Sequence, residues 1–147
     1  MITQEQIPML AIPSMNDTHL EETLIINRLE SAAKSSDIEG VSKILRELLE
    51  HTALHFSDEE DMMEEALYPA FQAHKSEHDR HLHELDALIK YFDKNRDVNA
   101  IIAHIDGNLA RWVLYHMETM DAVMAKYLEE GLSGGCGATK GCTTGSC

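Results

Sequence analysis

The sequence has few residues that break helices. Proline occurs only at positions 8, 13 and 69, and between Met15 and Glu130 the only glycines are Gly40 and Gly107. Both residue types weaken a helix interior, so their scarcity leaves room for long uninterrupted helices. Cysteine is missing from the main body. Cys136, Cys142 and Cys147 all fall in the last dozen residues, so the body holds no disulfide and no thiolate for an iron–sulfur cluster or a structural zinc. Basic residues are scarce too, 12 Lys and Arg against 26 Asp and Glu, for a formal charge of −14. Such a surface repels nucleic acid and anionic membranes and speaks against both as partners. No apolar run approaches the ~20 residues needed to span a bilayer. The opening MITQEQIPML lacks a basic region followed by an apolar stretch, so the expected location is cytoplasmic.

What is there reads as all-α. A chain of 147 residues suits one domain with its own core. Residues 1–15 read as an extended, flexible arm, because Pro8 and Pro13 disfavour helix. The first helix is expected over Asp17–Lys34, with Asn16 or Asp17 as cap and Leu24, Ile25, Ile26 and Leu29 at helical spacing. The second covers Ile38–Glu65, with Ile44, Leu45, Leu48, Leu49, Ala53 and Phe56 facing inward. Pro69 suits the first turn of a third helix reaching Phe92, and a fourth spans Val98–Glu129. Four long helices on short turns imply an up-down-up-down antiparallel four-helix bundle over residues 16–130. Residues 131–147 differ in kind. They hold six of the eight glycines and all three cysteines, a composition that suits flexible chain.

Seven residues on those helices carry the chemistry: His19, His55, Glu59, His74, His78, His116 and Asp121. His55 and Glu59 are four apart, as are His74 and His78, which puts each pair on one helix face. His116 and Asp121 are five apart. Any one pair alone is commonly a solvated surface pair. Four helices each offering donors at compatible heights is a different matter. Imidazole nitrogen and carboxylate oxygen suit iron, manganese, zinc and copper. Seven donors exceed the needs of one ion and fit two if both carboxylates bridge. His51, His81, His83 and His104 lie outside this set and are expected at the surface or supporting the ligands.

The stretches HFSDEEDMM, Tyr68-Pro69, HKSEH and WVLYHMETMD, in that order, closely resemble the hemerythrin family. The first helix, MNDTHLEETLIINRLESA, is similar to the bacterial members, including Asn27 eight after His19. The resemblance covers about residues 8–129. It implies two iron ions, ferrous or ferric, joined by a bridging oxo or hydroxo group. His74, His78 and His116 would bind one, His19 and His55 the other, and Glu59 and Asp121 would bridge both. O2 would bind at the open position of the two-histidine iron. Phe56, Trp112, Val113 and Met117, each beside a ligand or one turn from it, are the expected walls of the O2 pocket.

One position departs from the family. Glu22, three after His19, stands where oxygen-carrying members commonly have leucine, and would make that pocket more polar. Cys136, Cys142 and Cys147 match neither a redox C-x-x-C nor a zinc knuckle. They read as free thiols or as a site for metal capture, redox sensing, cross-linking or docking of a protein partner. The expected function is reversible O2 binding for carriage (oxygen transport), storage or sensing. The alternatives are an enzyme acting on peroxide or nitric oxide, and an iron storage or delivery protein using the cysteine tail.

Overall fold

The computed structural model describes residues 1–131, and among them it is an antiparallel bundle of four helices. Helix α1 is Pro13–Lys34, α2 is Ile38–Glu65 and α3 is Phe71–Asn95. Helix α4 begins at Val98 and stays helical to residue 131, the last one described. It contains two π-helical turns, Ile105–Leu109 and Met117–Asp121. The expectations for Cys136, Cys142 and Cys147 lie outside the described residues.

The helix starts differ from the sequence reading for identifiable reasons. Helix α1 begins at Pro13, four residues before the expected Asp17. Proline is tolerated in the first turn, where its missing N–H would have had no partner. Asn16, expected as a cap, instead grips the arm: its Oδ1 accepts from Leu10 N at 2.8 Å and its Nδ2 donates to Leu10 O at 3.0 Å. Asn27 does the same further along, accepting from Ile2 N at 2.9 Å and donating to Ile2 O at 2.8 Å. Ile2 and Leu10 are buried as a result. Pro69 lies in the turn before α3, not in its first helical turn.

The first two helices end in the same way. After α1, Asp37 N donates to Ala32 O and Ser36 N to Ala33 O; after α2, Tyr68 N donates to Met63 O and Leu67 N to Glu64 O. This crossed pair of bonds caps the last carbonyls and requires a left-handed residue, normally glycine. Here Ser36 and Leu67 take that role, at φ 56° and 55°. Asp37 then caps α2 by accepting from Gly40 N at 3.0 Å.

The core is divided. One apolar cluster contains Ile26, Leu29, Leu45, Leu48, Leu85, Phe92, Ile101, Leu109 and Met117, and the other contains Leu10, Met15, Met63, Met124 and Leu128. Along every helix the metal-type residues fall at the level between the two clusters or beside it. Burying each large aliphatic side chain contributes roughly 1.5–3 kcal/mol, so these clusters hold the helices while the level between them is polar. Ala53, expected inward, is exposed, as is Leu24 of the helical-spacing set. Each lies about 100° around its helix from a neighbour that already fills the core face.

Leu67 is strained without compensation, since its side chain is largely exposed. A left-handed conformation costs a side-chain-bearing residue about 1–2 kcal/mol, partly offset by the greater chain entropy of glycine when unfolded. Leu67→Gly is expected to raise unfolding free energy by about 0.5–1 kcal/mol in urea denaturation, and a loss of stability would show that the exposed leucine packs in solution.

Candidate metal centre

All four helices aim titratable side chains at one level of the bundle. Helix α1 supplies His19, α2 supplies His55 and Glu59, α3 supplies His74 and His78, and α4 supplies His116 and Asp121; all seven are buried. Their spacing of four on α2 and α3 is the ordinary same-face spacing. The spacing of five on α4 is not, because five residues of α-helix rotate a side chain about 140° off the starting face. The π-helical turn Met117–Asp121 absorbs the extra residue and brings Asp121 back beneath His116. Such turns recur at functional sites.

The donors fall into two groups, Glu59 with His74, His78, His116 and Asp121, and His19 with His55, Glu59 and Asp121. Within each, ligand atoms lie within 4.8 Å of one another. Both carboxylates belong to both groups, one oxygen facing each way. Glu59 Oε1 lies 3.2 Å from His78 Nε2 and 3.7 Å from His74 Nε2, while its Oε2 lies 2.6 Å from His55 Nε2 and 3.6 Å from His19 Nε2. Asp121 Oδ1 lies 2.9 Å from His74 Nε2 and 3.1 Å from His116 Nε2, while its Oδ2 lies 3.1 Å from His19 Nε2.

These residues fit metal ions. His19 Nε2, His78 Nε2, Glu59 Oε1 and Asp121 Oδ2 are buried and make no hydrogen bond, and a buried polar atom without a partner costs roughly 1–3 kcal/mol. His74 Nε2 and His116 Nε2 face each other at 3.2 Å, and two neutral nitrogens so placed repel unless a proton or a cation lies between them. Imidazoles and carboxylates together are borderline-to-hard donors of the kind that hold iron.

The metal-free electrostatics follow from the same geometry. Burial opposes a charge on His19, but the facing Asp121 and Glu59 outweigh it and hold the ring's pKa up at about 9. Burial and the charge of Asp121 push Glu59 up, yet the imidazoles of His19, His55 and His78 that face it bring it down to about 2. Asp121 lies well below its usual range, because His116, His19 and His74 outweigh its burial.

Glu22 is buried, as the two faces of its surroundings show. Its Oε2 accepts from Thr52 Oγ1 at 2.9 Å and lies 3.1 Å from His55 Nδ1, the ring nitrogen turned away from the carboxylate pair. His51 Nδ1 stands 3.7 Å from the same oxygen. On the other group, Glu60 Oε2 lies 2.9 Å from His78 Nδ1. Sequence reasoning missed Thr52 and Glu60. Thr52 sits three before His55 on the same helix, which was the available signal for it.

Phe56 stacks on His78, with ring centroids 3.8 Å apart, and lies 5.2 Å from the ring of His55. Trp112 stacks on His116 at 4.6 Å and on His81 at 3.9 Å. Val113 and Met117 are buried in the larger apolar cluster. Burial pulls His81 down to about pKa 4, so it packs as a neutral ring. A cavity of about 80 Å³ lined by Ser14, Met15, Thr18, His55, Asp58, Glu59 and Met62 reaches the two-histidine group.

A model of the hemerythrin HHE cation binding domain matches residues 11–133. The chain belongs to the hemerythrin family. Among its relatives, the bacteriohemerythrin of Aquifex aeolicus is 25% identical over 114 residues, covering 78% of this chain and 87% of that one. The bacteriohemerythrin of Pseudomonas aeruginosa PAO1 is 28% identical over 111 residues, 76% of this chain and 71% of that one. The myohemerythrin of Sipunculus nudus is 35% identical over 77 residues, 52% of this chain and 57% of its own. A crystal structure of wild-type hemerythrin superposes with a TM-score of 0.71 at 22% identity, covering 87% of this chain and 96% of that one. Hemerythrins bind non-haem iron, and the buried histidine and carboxylate cluster fits such a site. Among the described residues, no helix is long and apolar enough to cross a membrane.

A ligand must shed its proton to bind metal. His19 carries its proton at neutral pH, with a pKa raised from 6.5 to about 9. The stabilisation this gives the metal-free fold is fully present below pH 6.5 and is lost as pH rises through about 9. Metal affinity is therefore expected to rise from pH 6 to pH 9, with protons released on loading. Chelator competition across that range checks this, and an affinity independent of pH would rule out a protonated His19.

Proposed function

We propose that this hemerythrin is a non-haem di-iron protein that reversibly binds O2 at the open position of the two-histidine iron, for carriage, storage or sensing. The observation that carries the reading is the unequal division of five buried imidazoles, three and two, about two carboxylates that each face both groups. His74, His78 and His116 would hold one iron, and His19 and His55 the other. Glu59 and Asp121, each facing both groups, would be shared between the two ions, together with an oxo or hydroxo group. Bound iron supplies two one-electron donors next to each other. The two-histidine group presents one donor fewer, which leaves a coordination position for a diatomic molecule.

The remaining side chains set the conditions around that position. Phe56, Val113 and Met117 are buried and apolar and keep water from the ligand level. Trp112, partly buried, covers His116 from outside, its Nε1 donating to Glu77 Oε1 at 3.3 Å. Glu22 makes the surroundings of His55 more polar. A second reading, an enzyme acting on peroxide or nitric oxide, is favoured by the cavity at His55 and Glu59, whose lining includes Ser14, Thr18 and Asp58. Polar walls admit water, and water access shortens the life of a reduced-oxygen complex.

The two readings differ in reversibility. The iron-loaded, reduced protein mixed with O2 in a stopped-flow spectrometer is expected to show an absorption change that reverses when O2 is removed, with two irons per chain. Irreversible decay to the oxidised form, with turnover of added peroxide, would establish the enzyme reading. An iron content well above two would instead favour storage.

A further inference from the structure

The five imidazoles are not equivalent on their outer sides. His19 Nδ1, His74 Nδ1 and His116 Nδ1 are buried with no hydrogen-bond partner. Only His55 and His78 have a carboxylate behind them, one in each group. The two carboxylates differ in turn. Glu60 is part-buried and shared with Lys75, whose Nζ lies 3.5 Å from its other oxygen. Glu22 is buried, and no lysine or arginine contacts it among the described residues. Its neighbours are Thr52, His51 and His55. Among the described residues, no fixed positive charge therefore offsets its carboxylate where it meets His55. The carboxylate is also held in place, because Glu22 comes from α1 while Thr52 and His55 present their polar atoms from one face of α2.

We infer that Glu22 is a positioning residue for His55: held by Thr52, it takes the hydrogen bond from His55 Nδ1–H, leaves Nε2 as the free lone pair and turns it toward the two-histidine metal position. This rests on the di-iron reading above. A carboxylate behind a ligating imidazole fixes its tautomer and orientation and makes it a stronger donor. The two-histidine position has one imidazole fewer than its neighbour, so it gains most from a stronger His55. His51 extends the arrangement outward, its Nδ1 on the Glu22 side and its Nε2 3.6 Å from Glu21. Glu22 thus acts from behind His55, and its effect reaches the metal pair through the imidazole ring.

The test uses the full-length, metal-free chain and Co(II), whose visible bands report ligand geometry without any O2 chemistry. The wild-type chain is expected to take up two equivalents. Glu22→Gln should weaken one equivalent about 10- to 100-fold and shift its bands while leaving the other unchanged. Thr52→Val keeps the side-chain shape but releases Glu22, and should move the same equivalent by less. Glu60→Gln should move the other equivalent. Unchanged affinity and bands in both Glu22→Gln and Thr52→Val would overturn the inference. If Glu22→Gln loses helical circular dichroism, Thr52→Val decides alone. A wild-type chain that binds no more than one ion would instead overturn the di-iron reading, and the inference with it.

Discussion

The structure depends on placing five imidazoles and two carboxylates at one buried level of a helical bundle. Left to themselves, such groups resist burial, since each loses water and several find no partner in the protein. They are tolerated because opposite charges face one another across the bundle axis, and a bound cation would satisfy the atoms that remain. The apolar clusters on either side hold the four helices at the distance this requires.

That constraint explains the local irregularities. A π-helical turn placed immediately after His116 is an odd feature for a stable helix, yet without it Asp121 would point away from the centre. Because Glu59 and Asp121 each face both groups, neither half of the centre can shift alone. A displacement of α2 or α4 changes the surroundings of all five histidines. The tight, crossed hydrogen-bond endings of α1 and α2 serve the same end, as they fix where each helix stops and so the height of its donors.

Asymmetry around this centre is what separates possible chemistries. The three-histidine side is covered by stacked aromatic rings: Phe56 on His78, and Trp112 between His116 and His81. The two-histidine side meets a small polar-lined cavity and the buried carboxylate of Glu22. Stacked rings make one side apolar, while the other side presents polar groups to the cavity and to His55. The balance lies in residues such as Glu22 and Thr52, which stand beside the seven donors and not among them.

Much of this was legible in the residue order. Helical periodicity and the lack of proline and glycine mark the four helices, and the spacings of His55 with Glu59 and of His74 with His78 mark the faces that carry the buried donors, because local geometry alone decides which side chains are neighbours on a helix. Less local features were not legible. Whether Pro13 starts a helix or Pro69 precedes one depends on how the adjoining turn closes. Asn27 gives no sign by itself that it will clamp Ile2, and a spacing of five does not announce a π turn. Glu22 read as a pocket residue from its place three after His19, yet its carboxylate sits behind His55, on a different helix. The sequence determined the helices and the kinds of donor they carry. Only the tertiary structure decided which oxygen faces which nitrogen, since those contacts join residues from separate helices whose relative height and rotation are set by core packing.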